Sequence, residues 1–207
     1  MHFLLVGPGA LGCLVGSIVS RGIAGTEHRL TILDHNEQRA GFLSKHGITY
    51  ILGDNSTKSA ISAYSSPAAV GQVDVILLCV KSYDVAASLE FCAPLLTEKT
   101  LVVFLQNGIS HLDVPKNLKT NSAYGTTTEG ATLLSTGTVR HAGHGVTYLG
   151  FLDHVTDHIA ALLKTTQEVF HRGGFETHLS KQIIARLWAK LFVNVGINAL
   201  TAILGCK

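Results

Sequence analysis

The sequence predicts an α/β fold: a Rossmann-type, doubly wound, mostly parallel sheet followed by the start of an all-helical C-terminal domain. Three observations carry this reading. Short apolar runs alternate with helical patterns from the first residue, as in a chain of βα units. The run Val75-Ile76-Leu77-Leu78 is apolar at every position, the pattern of a parallel strand covered by helices on both faces. Gly7, Gly9 and Gly12 stand between an apolar run and a helical pattern, where a dinucleotide-binding turn belongs.

The elements follow in order. Residues 3–6 form a short apolar strand, and residues 10–21 a helix that ends at Gly22. Residues 29–33 are a second strand and residues 37–46 a second helix, with Gly47 as its C′ residue. Residues 48–52 are a further strand, residues 74–80 the strongest strand, and residues 84–96 a helix. Another buried strand, 101–105, ends at Gln106-Asn107-Gly108. The texture then changes. Residues 123–128, 131–135, 138–141 and 147–151 are short, rich in Thr and Gly, and closely spaced, which predicts strands joined by hairpins. Residues 157–172 are a helix stopped by Gly173-Gly174, and residues 176–179 a brief strand. The last helix is expected to start near Ser180 as N-cap. The division expected is a dinucleotide-binding domain over 1–179 and, over 180–207, the first helix of a truncated helical substrate and dimerisation domain.

Composition narrows the function. The chain has 207 residues, 46% hydrophobic and 14% charged, which is globular. A net charge of +2 without blocks of like charge argues against nucleic acid as partner. The N-terminal apolar run lacks a basic flank and is cut by Gly7-Pro8-Gly9, so it reads as a strand rather than a signal peptide. The final helix carries Arg186 and Lys190 within its apolar stretch, against a membrane span. A cytoplasmic location is expected. Cys13, Cys79, Cys92 and Cys206 form no C-x-x-C pair and read as free thiols. His141 and His144 read as turn and surface histidines with no cysteine or carboxylate at metal-ligand spacing, so no metal is expected.

Two regions carry chemistry. In Gly7-Pro8-Gly9-Ala10-Leu11-Gly12 the first glycine allows the tight turn, the second lets a pyrophosphate approach the backbone, and the third lets helix and strand pack closely. The phosphates then meet free N–H groups at the helix N-terminus. Asp34 ends the second strand, where a carboxylate accepts from the adenine-ribose hydroxyls and favours NAD(H); its alternative role is a helix N-cap. Arg39 lies within reach of a 2′-phosphate. Lys81 and Asn107 each follow a parallel strand, on the side where open α/β sheets bind ligands. Thr126, Thr127 and Thr128 either line the site or are ordinary strand residues. At the far end, Lys190, Asn194 and Asn198 recur every fourth residue, within about 80° of one helix face. One amine and two amides on an apolar helix point to a polar pocket, and with a nucleotide site to redox chemistry on a small carbonyl compound.

Together these segments resemble the ketopantoate reductases (2-dehydropantoate 2-reductases). The likeness rests on Gly7–Gly12, Cys79-Val80-Lys81-Ser82, Leu105-Gln106-Asn107-Gly108, Thr128-Glu129-Gly130-Ala131, and the run from Leu187 to Ala202. The resemblance implies reduction of ketopantoate to pantoate by hydride transfer from NADPH, on the route to pantothenate and coenzyme A. It implies Lys190 as the catalytic lysine, Asn194 and Asn198 as substrate-binding asparagines, and Lys81 and Asn107 near nicotinamide and substrate. It favours NADP(H), with NAD(H) kept open by Asp34. The family carries about a further hundred helical residues, so its later serine and glutamate have no counterpart here. The apolar face of the last helix is then covered by more chain or by a second copy in a homodimer. Two alternatives stay open: a catalytically silent nucleotide-binding and dimerisation module, and a reductase of another 2-keto acid.

Overall fold

The computed structural model describes residues 1–114 and 120–205, with the side chain of Asn198 also outside the described set. A large sheet of eight strands runs in the order β12-β11-β8-β7-β6-β1-β2-β5. Its strands are β1 (His2–Val6), β2 (Arg29–Leu33), β5 (Ser62–Tyr64), β6 (Val75–Leu78), β7 (Leu101–Phe104), β8 (Asn121–Thr127), β11 (Val146–Gly150) and β12 (Glu176–Leu179). Every neighbouring pair is parallel except β8 and β11. The chain moves outward from β1 to β2 in one direction and restarts at β6 on the other side. The reversal therefore falls between β1 and β6, where ligands of doubly wound sheets sit.

Side-chain alternation along the strands builds two cores. Phe3, Leu5, Leu77 and Val103 face one side, with Leu14, Ile18, Leu163 and Phe170 of helices α1 (Ala10–Gly22) and α4 (Asp157–Gly173). Leu4, Val6, Ile76, Leu78 and Val102 face the other, with Val85 and Leu89 of α3 (Val85–Cys92) and Ile183 and Leu187 of α5 (Ile183–Leu204). Both faces are covered, as the uninterrupted apolar strands require. Helices α1 and α4 cross in near backbone contact: a Cβ on Gly22 would lie 2.0 Å from the Val169 carbonyl oxygen, and one on Gly173 2.1 Å from that of Ile18.

Several expectations change. Strand β3 (Ile48–Leu52) does not join the large sheet. It pairs with β4 (Asn55–Ser59) and β10 (Thr138–Gly143), and with β9 (Gly130–Ser135) they form a second sheet ordered β4-β3-β10-β9. This sheet covers the outer side of α1, which explains why nine residues of that helix are buried, including Ser17. Strands β4 and β5 are absent from the sequence reading: β4 is polar and exposed, and β5 has three residues. The Thr/Gly-rich region holds one hairpin, β9–β10, inserted between β8 and β11. The helix predicted over 84–96 ends at Cys92 and continues as a 3₁₀ turn over Ala93–Leu95. Helix α2 (Glu37–His46) ends at Gly47 with φ 69°, as predicted. Helix α5 starts at Ile183 with Gln182 as N-cap, two residues beyond the cap predicted; the Ser180 hydroxyl accepts from the Gln182 amide instead.

Burial pushes the thiols of Cys13 and Cys92 up to about 12. Such groups are inert at neutral pH, in line with the free-thiol reading; Cys206 lies outside the described residues. Helix α5 has 22 residues and a mean hydropathy of 1.5, long and apolar enough to cross a membrane by length and composition alone. Two side chains tie its first half to the sheet. The Arg186 guanidinium lies 4.4 Å from the Tyr148 ring centroid, and Lys190 reaches into the cleft described next.

Candidate active site

A cleft of about 900 Å³ opens over the carboxyl ends of β1, β2, β6, β7 and β8. The glycine loop forms its floor. Gly7 has φ 87°, a left-handed conformation that glycine adopts without penalty, and its carbonyl accepts from Gly9 N at 2.8 Å. A Cβ on Gly12 would sit 2.1 Å from the Gly7 oxygen, whereas one on Gly9 would meet nothing within 4 Å. The turn is therefore closed on the protein side and open on the cleft side. Helix α1 starts there with no side-chain cap and no acidic residue in its first turn. Its first N–H groups are left for an anion. A dinucleotide pyrophosphate fits this cradle.

At the β2 end, Asp34 is 2% exposed. Its carboxylate accepts from Arg39 through Nε, through Nη2 at 2.7 Å, and from Asn36 N at 3.1 Å. The carboxylate in turn holds the Arg39 guanidinium above its ordinary range. The N-cap of α2 is Asn36, whose Oδ1 accepts from Arg39 N at 2.8 Å, so Asp34 is not the cap. The charge on Asp34 is thus compensated from within, and Arg39, with Asp34 and His35, lines the cleft.

At the other end stands Lys190. Its ammonium donates to Asn107 Oδ1 at 2.7 Å and to the Thr127 carbonyl at 2.5 Å. Burial lowers its pKa from the ordinary lysine value, because desolvation disfavours the charged form. Asn107 follows β7 and Thr127 closes β8, so one amine from α5 bridges two adjacent strand ends. Lys81, after β6, lines the same cleft.

The structure thus brings together Gly7, Pro8, Gly9, Ala10, Leu11, Asp34, Lys81, Asn107 and Lys190 on one cleft. Gly12 lies beneath it and packs the turn. Asn194 does not line it. The helix rises about 1.5 Å per residue, which carries Asn194 roughly 6 Å beyond Lys190 and away from the strand ends. The side chain of Asn198 lies outside the described residues. Beyond Leu191 the described residues of α5 are largely exposed, so Asn194 is not a buried amide in need of partners.

Sequence reasoning missed two features. Gln106 is 4% exposed and donates from Nε2 to the carbonyls of Leu78 and Val80 at 2.7 and 3.2 Å, tying the ends of β6 and β7 together. Glu129 lines the cleft and pairs with buried His141, Oε2 to Nε2 at 2.6 Å. The buried apolar strands signalled neither. For Thr127 it is the carbonyl that faces Lys190, while the hydroxyl accepts from Thr147 Oγ1 at 2.8 Å.

Comparison with known proteins bears on this geometry. Residues 3–154 match the family model of ketopantoate reductase PanE/ApbA. A 2-dehydropantoate 2-reductase of Halobacterium salinarum is 33% identical over 206 residues, covering 98% of this chain and 65% of that protein. One of Pyrococcus horikoshii is 32% identical over 208 residues, covering 100% and 65%. Among solved structures, the ternary structure of D-mandelate dehydrogenase with NADH and anilino(oxo)acetate superposes with a TM-score of 0.85 at 25% identity, over 99% of this chain and 65% of that one. The 2-dehydropantoate 2-reductase of Methylococcus capsulatus shares the fold with a TM-score of 0.84 at 21% identity, over 100% and 65%. The chain spans 65% of the length of these relatives.

Proposed function

The chain belongs to the ketopantoate reductase family, and from that premise we propose that it reduces 2-dehydropantoate to pantoate with a nicotinamide cofactor. The observation that carries the reading is the Lys190 ammonium, held by Asn107 and Thr127 at the end of a cleft whose floor is a dinucleotide cradle. The cofactor, when bound, supplies a hydride to the carbonyl carbon of the 2-keto acid. Negative charge then grows on the carbonyl oxygen. An ammonium has three N–H groups. Two of those on Lys190 are engaged, and the third is left to stabilise that oxygen and deliver its proton. A pKa lowered by desolvation brings the amine closer to working pH, which favours proton transfer. Asn107 sets the orientation of the amine; Asn194 and Asn198 serve the substrate once the rest of the pocket is in place.

The glycine loop holds the pyrophosphate, and Lys81 lies toward the nicotinamide. For the cofactor we favour NADP(H). A free carboxylate at Asp34 would repel a 2′-phosphate, but this one is neutralised by Arg39, which itself lines the cleft. NADPH and NADH affinities, read by quenching of Trp188 or by calorimetry, test this point. The native chain should favour NADPH, and Arg39→Ala should remove that preference. Equal affinities in the native chain would contradict it.

We assign residues 180–207 to the opening of a second, helical unit, with the remaining third of the relatives' length as its continuation or a second copy in its place. One observation favours the alternative, a silent nucleotide-binding module: Trp188, Phe192 and Leu200 on α5 are exposed by 42, 71 and 60%, a surface suited to association rather than to closing over substrate. Cofactor binding without turnover on any 2-keto acid would support it.

A further inference from the structure

The junction between the two sheets gathers three side chains that the reduction does not use. The chain leaves the large sheet after β8, builds β9 and β10 in the small sheet, and returns as β11. Glu129 sits on the outgoing crossing, His141 on β10, and His144 on the returning crossing. One ligand atom from each lies within 4.8 Å of the others. The side chains of Glu129 and His141 are each 1% exposed and meet at 2.6 Å, Oε2 to Nε2. His144 is exposed, with its ring edge-on to His141 at 4.4 Å between centroids.

We propose that Glu129, His141 and His144 form a binding site for a divalent cation of the zinc class. Two imidazoles and one carboxylate are a donor set that zinc takes with a fourth position kept for water. The other ring nitrogen of His141, Nδ1, bonds the Tyr50 hydroxyl on β3 at 2.8 Å, a partner that fixes the ring's orientation and can accept from Nδ1 once Nε2 ligates. Donors about 2.0–2.2 Å from a shared tetrahedral ion lie roughly 3.3–3.6 Å from one another. Glu129 and His141 therefore part slightly, the ring proton moves from Nε2 to Nδ1, where the Tyr50 hydroxyl turns to accept it, and the exposed His144 ring turns inward. The ion clips the outgoing and returning crossings together. It also places a fixed positive charge beside the cleft wall that Glu129 lines. The spacing of His141 and His144 gave no sign of it, because the carboxylate comes from a loop 12 residues earlier.

The test is titration of the purified chain with zinc chloride by calorimetry and with Co²⁺ by visible absorption. One ion per chain is expected, with the Co²⁺ bands of a four- or five-coordinate site. His144→Ala removes an exposed side chain, and Glu129→Gln keeps size and shape, so both variants should fold, as circular dichroism checks. Each should weaken binding at least as much as Tyr50→Phe, for which the loss of the hydroxyl that holds the His141 ring predicts about 10-fold. Wild-type affinity in either ligand variant, which would place the ion on others of the eleven histidines, overturns the site. So does the lack of any binding, which would leave the Glu129–His141 pair as a structural hydrogen bond.

Discussion

Lys190 and His111 show how burial sets the behaviour of single residues. Replacing Lys190 by Ala should lower turnover by about 10²–10⁴-fold, the usual scale for a general acid, with cofactor affinity retained, because the cradle lies at the other end of the cleft. Desolvation holds its pKa below the ordinary lysine value. The alkaline limb of the rate profile should therefore fall at lower pH than a free lysine would give; a limb at or above that pH would remove the amine from the proton step. His111 is fully buried, stacked 6.0 Å from Phe104, and neither ring nitrogen finds a partner among the described residues. Desolvation pushes it down to about 4. The unfolded imidazole takes its proton near its ordinary value of 6.5. Stability is thus fully present above that pH and lost as pH falls toward about 4. His111→Phe should flatten that acid limb and add about 1–3 kcal/mol, the cost of unsatisfied buried polar groups. Urea denaturation at neutral and mildly acidic pH checks both. The lysine was legible because an amine in an apolar helix is conspicuous. The histidine was not, because its burial depends on the packing of β7 and β8.

Among the elements, the β1–α1 turn separates two kinds of glycine. Gly12→Ala drives a methyl into the Gly7 carbonyl, 2.1 Å away, and should unfold the turn and lower the melting temperature sharply. Gly9→Ala meets no protein atom within 4 Å, so it should leave the melting temperature unchanged while abolishing cofactor binding. A Gly9 variant that bound cofactor normally would remove the turn from the phosphate site. This turn and the parallel strands were readable because their signals are local: glycine spacing and unbroken apolar runs. The small sheet was not. Strand β4 has no apolar face, and β3 and β10 pair across nearly ninety residues. Nor did the four-residue spacing along α5 reveal which members of the stripe reach the cleft. That depends on where the helix leaves the sheet: of the described side chains of the stripe, Lys190 lines the cleft and Asn194 does not.

For the molecule as a whole, segments far apart in sequence meet: a loop at residues 7–11 and a lysine at 190 share one cleft. The outer half of α5 is unlike the rest. Phe192, Ile203 and Leu204 are exposed by 71, 81 and 70%, more apolar surface than a lone soluble chain tolerates. The chain should therefore self-associate with rising concentration, and Phe192→Glu should shift it toward monomer, as sedimentation velocity will show. A native chain that stays monomeric at high concentration would contradict this. The central claim is that one amine and one dinucleotide site act on the same carbonyl. Oxidation of NADPH by ketopantoate, followed by cofactor absorbance in the native chain and in Lys190→Ala, tests it most directly. The account predicts substrate-dependent oxidation that falls by about 100-fold or more in the variant while cofactor affinity holds. Equal rates in the two proteins would contradict it.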